Sequence, residues 1–173
     1  VECRWVPWAV PGVGASAERW RTTVVVGKVY LESIEDLHRA KALVSPALGL
    51  SEMAVRECLT ALSEAVANAL THGRRGCPPY CRVTVQAHSQ WVHITVEDHG
   101  AGFDWAGLER EMPSWDKEHG RGVHLIRELM DRVTICSTPH GTRVEMSKRI
   151  TPEGAKEADT GESQSDPPPH CDK

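Results

Sequence analysis

Apolar side chains recur along this chain with two periods, one suited to helices and one to strands. From Glu52 to Thr71 they return every three or four residues, at Val55, Leu59, Leu62, Val66, Ala69 and Leu70, which gathers them into one helical stripe. Ser51 precedes this helix with an oxygen able to cap its first free amides, and Gly73 follows as a stop. A shorter helix is predicted from Ile34 to about Leu43, with Ser33 as N-cap and Glu35 and Asp36 in the first turn, where carboxylates meet the positive end of the helix dipole. Pro46 and Gly49 break it. A third helix is predicted over Val123 to Met130. Trp91 to Glu97 instead alternates apolar and polar residues, as a half-buried strand does, and the turn His88-Ser89-Gln90 joins it to Tyr80–Ala87 in a hairpin. Thr22 to Leu31 is a β-branched run, and Arg132–Ser137 with Thr142–Ser147 forms a second hairpin around Pro139-His140-Gly141. The order strand, two helices, hairpin, helix, hairpin predicts an α+β fold, a two-layer sandwich of one mostly antiparallel sheet with helices on one face.

Composition divides the chain into one domain and two flanks. With 173 residues and 40% hydrophobic content it is long enough for a single core. Residues 1–20, with Trp5 and Trp8, show no assignable pattern; residues 21–150 carry all the periodic segments. Residues 151–173 hold six acidic and two basic side chains and Pro167-Pro168-Pro169, a composition that predicts disorder. That tail accounts for the whole net charge of −4, because residues 1–150 contain 18 basic and 18 acidic side chains, so direct nucleic-acid binding is not indicated. No run reaches the roughly 18–20 apolar residues that span a bilayer, no leader pattern is present, and a cytoplasmic location without membrane attachment is expected. The six cysteines, at 3, 58, 77, 81, 136 and 171, lack a recurrent metal spacing, and reduced thiols are expected rather than a zinc site or a Cys77–Cys81 disulfide.

Four short fragments carry the candidate chemistry. Glu64 and Asn68 lie four apart and so emerge from one face of the long helix. The Asn carbonyl is a hard oxygen suited to Mg²⁺, and the Glu one turn earlier is able to orient or deprotonate a hydroxyl or water. Asp98 closes the Trp91 strand ahead of Gly100 and Gly102; its carboxylate is able to accept from an exocyclic amine such as that of adenine, while the glycines let a ligand approach the backbone. Gly120-Arg121-Gly122 opens the third helix, whose free amides and partial positive charge favour phosphate. Gly141-Thr142 is the fourth. Taken alone, these are an ordinary amphipathic helix, a turn after a strand and a loop–helix junction.

Taken together, their order and separations over about residues 20–150 resemble the N-box, two glycine boxes and closing Gly-Thr of the GHKL ATPase superfamily, whose members share the histidine kinase-like ATPase fold. Leu62-Ser63-Glu64-Ala65-Val66-Ala67-Asn68-Ala69-Leu70-Thr71-His72-Gly73 and Gly120-Arg121-Gly122-Val123-His124-Leu125-Ile126 are most similar to the stand-alone serine-kinase anti-sigma factors of bacteria. The resemblance implies ATP and Mg²⁺ as cofactors, held between helices and sheet. It implies Asn68 as metal ligand, Glu64 as general base, Asp98 on the adenine amino group, Gly100 and Gly102 around the base, Gly120, Gly122 and Val123 at the phosphates, and Thr142 beside Asp98. Arg121 is either a phosphate donor or a solvated residue of a lid, expected over Asp104 to His119. The implied activity is phosphorylation of a Ser or Thr on an anti-sigma antagonist, with a sigma factor as second partner; the alternative is a catalytically weak or silent ATP-binding partner-switching module. Whether the chain forms a homodimer stays open. The chain departs from the branch at His124, where an aromatic or bulky apolar residue is common, and at Glu118 and His119, where a basic residue is common. His38 is the one phosphoacceptor candidate for a histidine-kinase reading, and it lacks the helical dimerisation hairpin such kinases use.

Overall fold

Alternation of burial along the strands builds the scaffold. In a computed structural model of the chain, which describes residues 24–73, 78–88, 90–102 and 121–150, five strands form one antiparallel sheet: β1 (Val24–Leu31), β2 (Cys81–His88), β3 (Trp91–Asp98), β4 (Arg132–Thr138) and β5 (Gly141–Arg149), in spatial order β1-β2-β3-β5-β4. Cys81, Val83 and Val85 on β2, Val92, Ile94 and Val96 on β3, and Met146 on β5 are fully buried, and the residues between them face the other side. Each such Val or Ile contributes roughly 1.5–3 kcal/mol by leaving water.

Three helices carry the other layer: α1 (Leu37–Lys41), α2 (Glu52–His72) and α3 (Arg121–Leu129). The Ser51 side chain accepts a hydrogen bond from Ala54 N at 3.2 Å, the predicted cap of α2. Two local expectations need correction. The helix predicted over Ile34 to Leu43 is a 3-10 turn, Ile34–Asp36, followed by the short α1; the Asp36 carboxylate accepts from Glu32 N at 3.0 Å and Ser33 N at 3.3 Å, which folds the chain back on its first turn. The buried stripe of α2 is centred on Ala54, Cys58, Ala61, Leu62, Ala65, Val66, Ala69 and Leu70, with Val55 and Leu59 only half-buried at its margin. The expectations for residues 1–20, for the segment Asp104 to His119, for Gly120, and for the tail from Thr151 fall outside the described residues.

Candidate functional site

Asp98 ends β3 on the helix-facing side of the sheet and is only 6% exposed. Its Oδ1 accepts from Gly100 N at 2.7 Å and from Thr142 N at 3.2 Å. Those two amides aim the carboxylate, and among the described residues Oδ2 accepts no hydrogen bond. Burial raises the Asp98 pKa above its ordinary 3.8, against the opposing pull of the two amides and of the nearby His99 and His72. The Thr142 hydroxyl lies 3.3 Å from Ser137 Oγ. Gly102, at φ +69°, runs against Ser137 and Thr138, a backbone state that favours glycine. Asp98, Gly100, Gly102 and Thr142 therefore converge as expected, and an amine donor has one oriented acceptor oxygen to meet.

Glu64 and Asn68 are half-buried on α2, and α3 begins directly above them. A side chain at Gly122 would start 2.8 Å from Glu64 Oε2 and 3.2 Å from Asn68 Nδ2, with Asn68 Oδ1 at 3.8 Å. Glycine thus leaves a cradle of about one methyl group between the N-terminal backbone of α3 and the two polar side chains. Arg121 is exposed at the first position of α3, and Val123 is half-buried. Among the described residues no cluster of three His, Cys, Asp or Glu could hold a metal ion. A cation at Asn68 would have to be completed by water and phosphate oxygens, which is how Mg²⁺ is usually bound beside nucleotides. The oriented oxygen at one end, the cradle and hard oxygen at the other, fit a Mg²⁺-nucleotide.

With that geometry in place, similarity to known proteins is decisive. The family model of the histidine kinase-like ATPase domain matches residues 31–148. The chain belongs to that family. Within the histidine kinase-like ATPase family it is 35% identical over 104 residues to an anti-sigma F factor of Anoxybacillus flavithermus, covering 55% of this chain and 69% of that one. It is 35% identical to the anti-sigma F factor of Pasteuria penetrans over 53% of this chain and 65% of the relative. To the serine-protein kinase RsbW of Staphylococcus aureus it is 28% identical, over 57% of this chain and 68% of that protein. The crystal structure of the RsbU and RsbW domains of a Mycobacterium tuberculosis protein superimposes with a TM-score of 0.52 at 18% identity, covering 74% of this chain and 32% of that one, and so shares the fold.

Three neighbours of the site are held by long-range packing. Gly73 closes α2 at φ −91°, so it is not there for a left-handed cap. It is there for space: a side chain would meet Ala69 O and come within 2.5 Å of Asp98 Cβ, and Gly100 in turn lies against Gly73 Cα. The end of the α2 helix is thereby docked on the Asp98 turn. Cys81 lies opposite Asp98 on β2, and burial drives its thiol pKa far up, so it is an inert wall. Glu97, on the opposite face of the sheet, is 3% exposed yet ion-paired with Arg82 at 2.6 Å and Arg143 at 3.9 Å, which ties β2, β3 and β5 together one residue before Asp98. His38, the alternative phosphoacceptor, is an exposed residue of α1 whose Nδ1 lies 2.6 Å from Glu35 O. His124 pairs with Glu128 at 3.4 Å on the exposed side of α3.

Proposed function

We infer that this chain binds Mg²⁺-ATP, phosphorylates a Ser or Thr of an antagonist protein, and holds a sigma factor when that antagonist is absent. One observation carries the inference: Glu64 and Asn68 of α2 meet Gly122 of α3, and α2 ends at Gly73 against the aimed carboxylate of Asp98. The relatives named as anti-sigma F factors and as a serine-protein kinase support the class of partner.

Bound Mg²⁺-ATP supplies the transferable phosphoryl group and the cation that neutralises its charge. Asp98 would hold the adenine amine, with Gly100 N and Thr142 N keeping its carboxylate from turning. The amides at the start of α3 would hold the phosphates, and Asn68 would offer its carbonyl oxygen to the cation. Glu64 takes the proton of the attacking hydroxyl as its oxygen bonds to phosphorus and the bond to the departing ADP oxygen breaks. Positioning contributes most of the rate, because little covalent work falls to the protein.

Radiolabel transfer from ATP to single-domain antagonist proteins recovered from the native lysate tests this. Glu64→Ala lowers the labelling rate by about 100-fold or more, the usual worth of a general base; equal labelling by the variant removes Glu64 from that role. The second reading is a catalytically weak or silent ATP-binding partner-switching module. ATP binding by the wild-type chain with no transfer to any antagonist would select it.

A further inference from the structure

Lys148 points from β5 into the helical layer. It is 14% exposed, and its ammonium has three partners: it donates to Leu129 O at 2.8 Å, and ion-pairs with Glu57 Oε2 at 2.6 Å and Asp131 Oδ1 at 3.6 Å. Leu129 is the last residue of α3, Asp131 follows that helix, and Glu57 lies on α2. Asp131 is itself held, its Oδ2 accepting from Arg149 N at 2.6 Å. One cation therefore joins β5, the C-terminal end of α3 and the side of α2.

Its place along the helices gives that junction a consequence. Glu57 precedes Glu64 by seven residues on α2, and Gly122 precedes Leu129 by seven on α3. At a rise of 1.5 Å per residue both intervals span about 10.5 Å. The two contacts, Lys148 bridging Leu129 to Glu57 and Gly122 against Glu64, are thus the two ends of one antiparallel helix pair, with the buried Ala61 and Ile126 between them. A slide of α3 along α2 would have to break the first contact to disturb the second.

We propose that Lys148 is a positioning residue for nucleotide phosphates: by locking the C-terminal end of α3 to α2 it holds the N-terminal backbone of α3 at the level of Glu64 and Asn68. This rests on the assignment of the α3 N-terminus to the phosphates. Burial by itself would lower the Lys148 pKa, but the Glu57 hydrogen bond and the Asp131 charge hold it above its ordinary value, so the lock stays charged at neutral pH. The adjacent Cys58 thiol, pushed up to about 12 by burial, stays neutral and brings no competing anion.

The discriminating quantity is the ratio of ATP to adenosine affinity, because adenosine uses only the Asp98 end. Titrations of ATP with Mg²⁺ and of adenosine into the full chain are compared for wild type, Lys148→Met and Lys148→Arg. Lys148→Met is expected to bind adenosine within twofold of wild type, which also shows that it folds, while the ratio falls at least fivefold; Lys148→Arg, which keeps the charge, restores it to within threefold. A ratio in Lys148→Met that falls less than fivefold, whether both ligands are kept or both are lost, overturns the proposal, and so does a Lys148→Arg ratio as low as that of Lys148→Met. A wild-type chain that binds adenosine but gains nothing from the phosphates sinks the phosphate assignment itself, and is distinguished by needing no variant to show it.

Discussion

The Asp98 end and the Glu64 end of the candidate site are built by different means. At the Asp98 end, main-chain amides of Gly100 and Thr142 fix a carboxylate on the rim of a sheet, and Gly73 presses the end of α2 against it. At the Glu64 end, two half-buried side chains face the first turn of α3, and their spacing depends on how two helices lie along each other. A sheet rim held by backbone hydrogen bonds is pre-set; a helix pair can slide. The difference teaches that base recognition and phosphate positioning should fail separately when mutated, although one nucleotide would span both.

Asp98→Asn breaks the comparison hardest. The amide keeps an oxygen for Gly100 N and Thr142 N but turns a donor toward the adenine amine, and loss of a charge-assisted hydrogen bond with a donor left opposing it costs on the order of 100-fold in ATP affinity. Because burial opposes the charge that the variant removes, its melting temperature should be no lower than that of wild type. Calorimetric titration with thermal melts checks both; unchanged ATP affinity would remove Asp98 from base recognition.

Gly122→Ala sharpens the contrast from the other side. Its methyl would start 2.8 Å from Glu64 Oε2, so phosphoryl transfer falls about tenfold or more while adenosine affinity stays within twofold. Alanine in a helix gains up to about 1 kcal/mol over glycine, so stability should hold or rise. Transfer at the wild-type rate would show that the cradle is not used.

Acid titration gives a smaller effect with opposite signs in two observables. The folded chain favours protonated Asp98, chiefly through burial, so this group's contribution to stability is present below 3.8 and is lost as pH rises through its raised value. ATP affinity moves the other way and falls as pH drops through that value, since the protonated acid no longer accepts freely from the amine. In Asp98→Asn this segment of the pH profile should be flat. The smallest effect expected is that of His38→Ala, which should leave labelling within twofold of wild type, because the exposed His38 contacts the carbonyl of Glu35 in the preceding turn; a loss of labelling would revive the histidine-phosphorylation reading.

Local pattern carried most of the architecture. Alternation located β3 and put Asp98 at its end, and helical periodicity with the Ser51 cap located α2 within a residue. Of the residues in the four fragments, Glu64, Asn68 and Gly122 lie together, as do Asp98, Gly100, Gly102 and Thr142, while Gly120 lies outside the described residues. What local pattern missed is long-range. Gly73 reads as a helix stop, and its need for space comes from Asp98, 25 residues later. Glu97 reads as the polar half of an alternating strand, and its burial depends on arginines from two other strands. Lys148 reads as a surface lysine, and only the packing of α3 on α2 gives it work. The first helix is shorter than its periodicity predicts because the Asp36 carboxylate turns back to cap the amides before it, a competition that periodicity does not register.

The most direct measurement is a calorimetric titration of ATP with and without Mg²⁺ into the wild-type chain and into the double variant Asn68→Ala with Asp98→Asn. Saturable ATP binding that is tightened by Mg²⁺ in the wild type, with both the binding and the Mg²⁺ dependence gone from the double variant, is the predicted result. No ATP binding by the wild-type chain, or equal binding by the double variant, would contradict it.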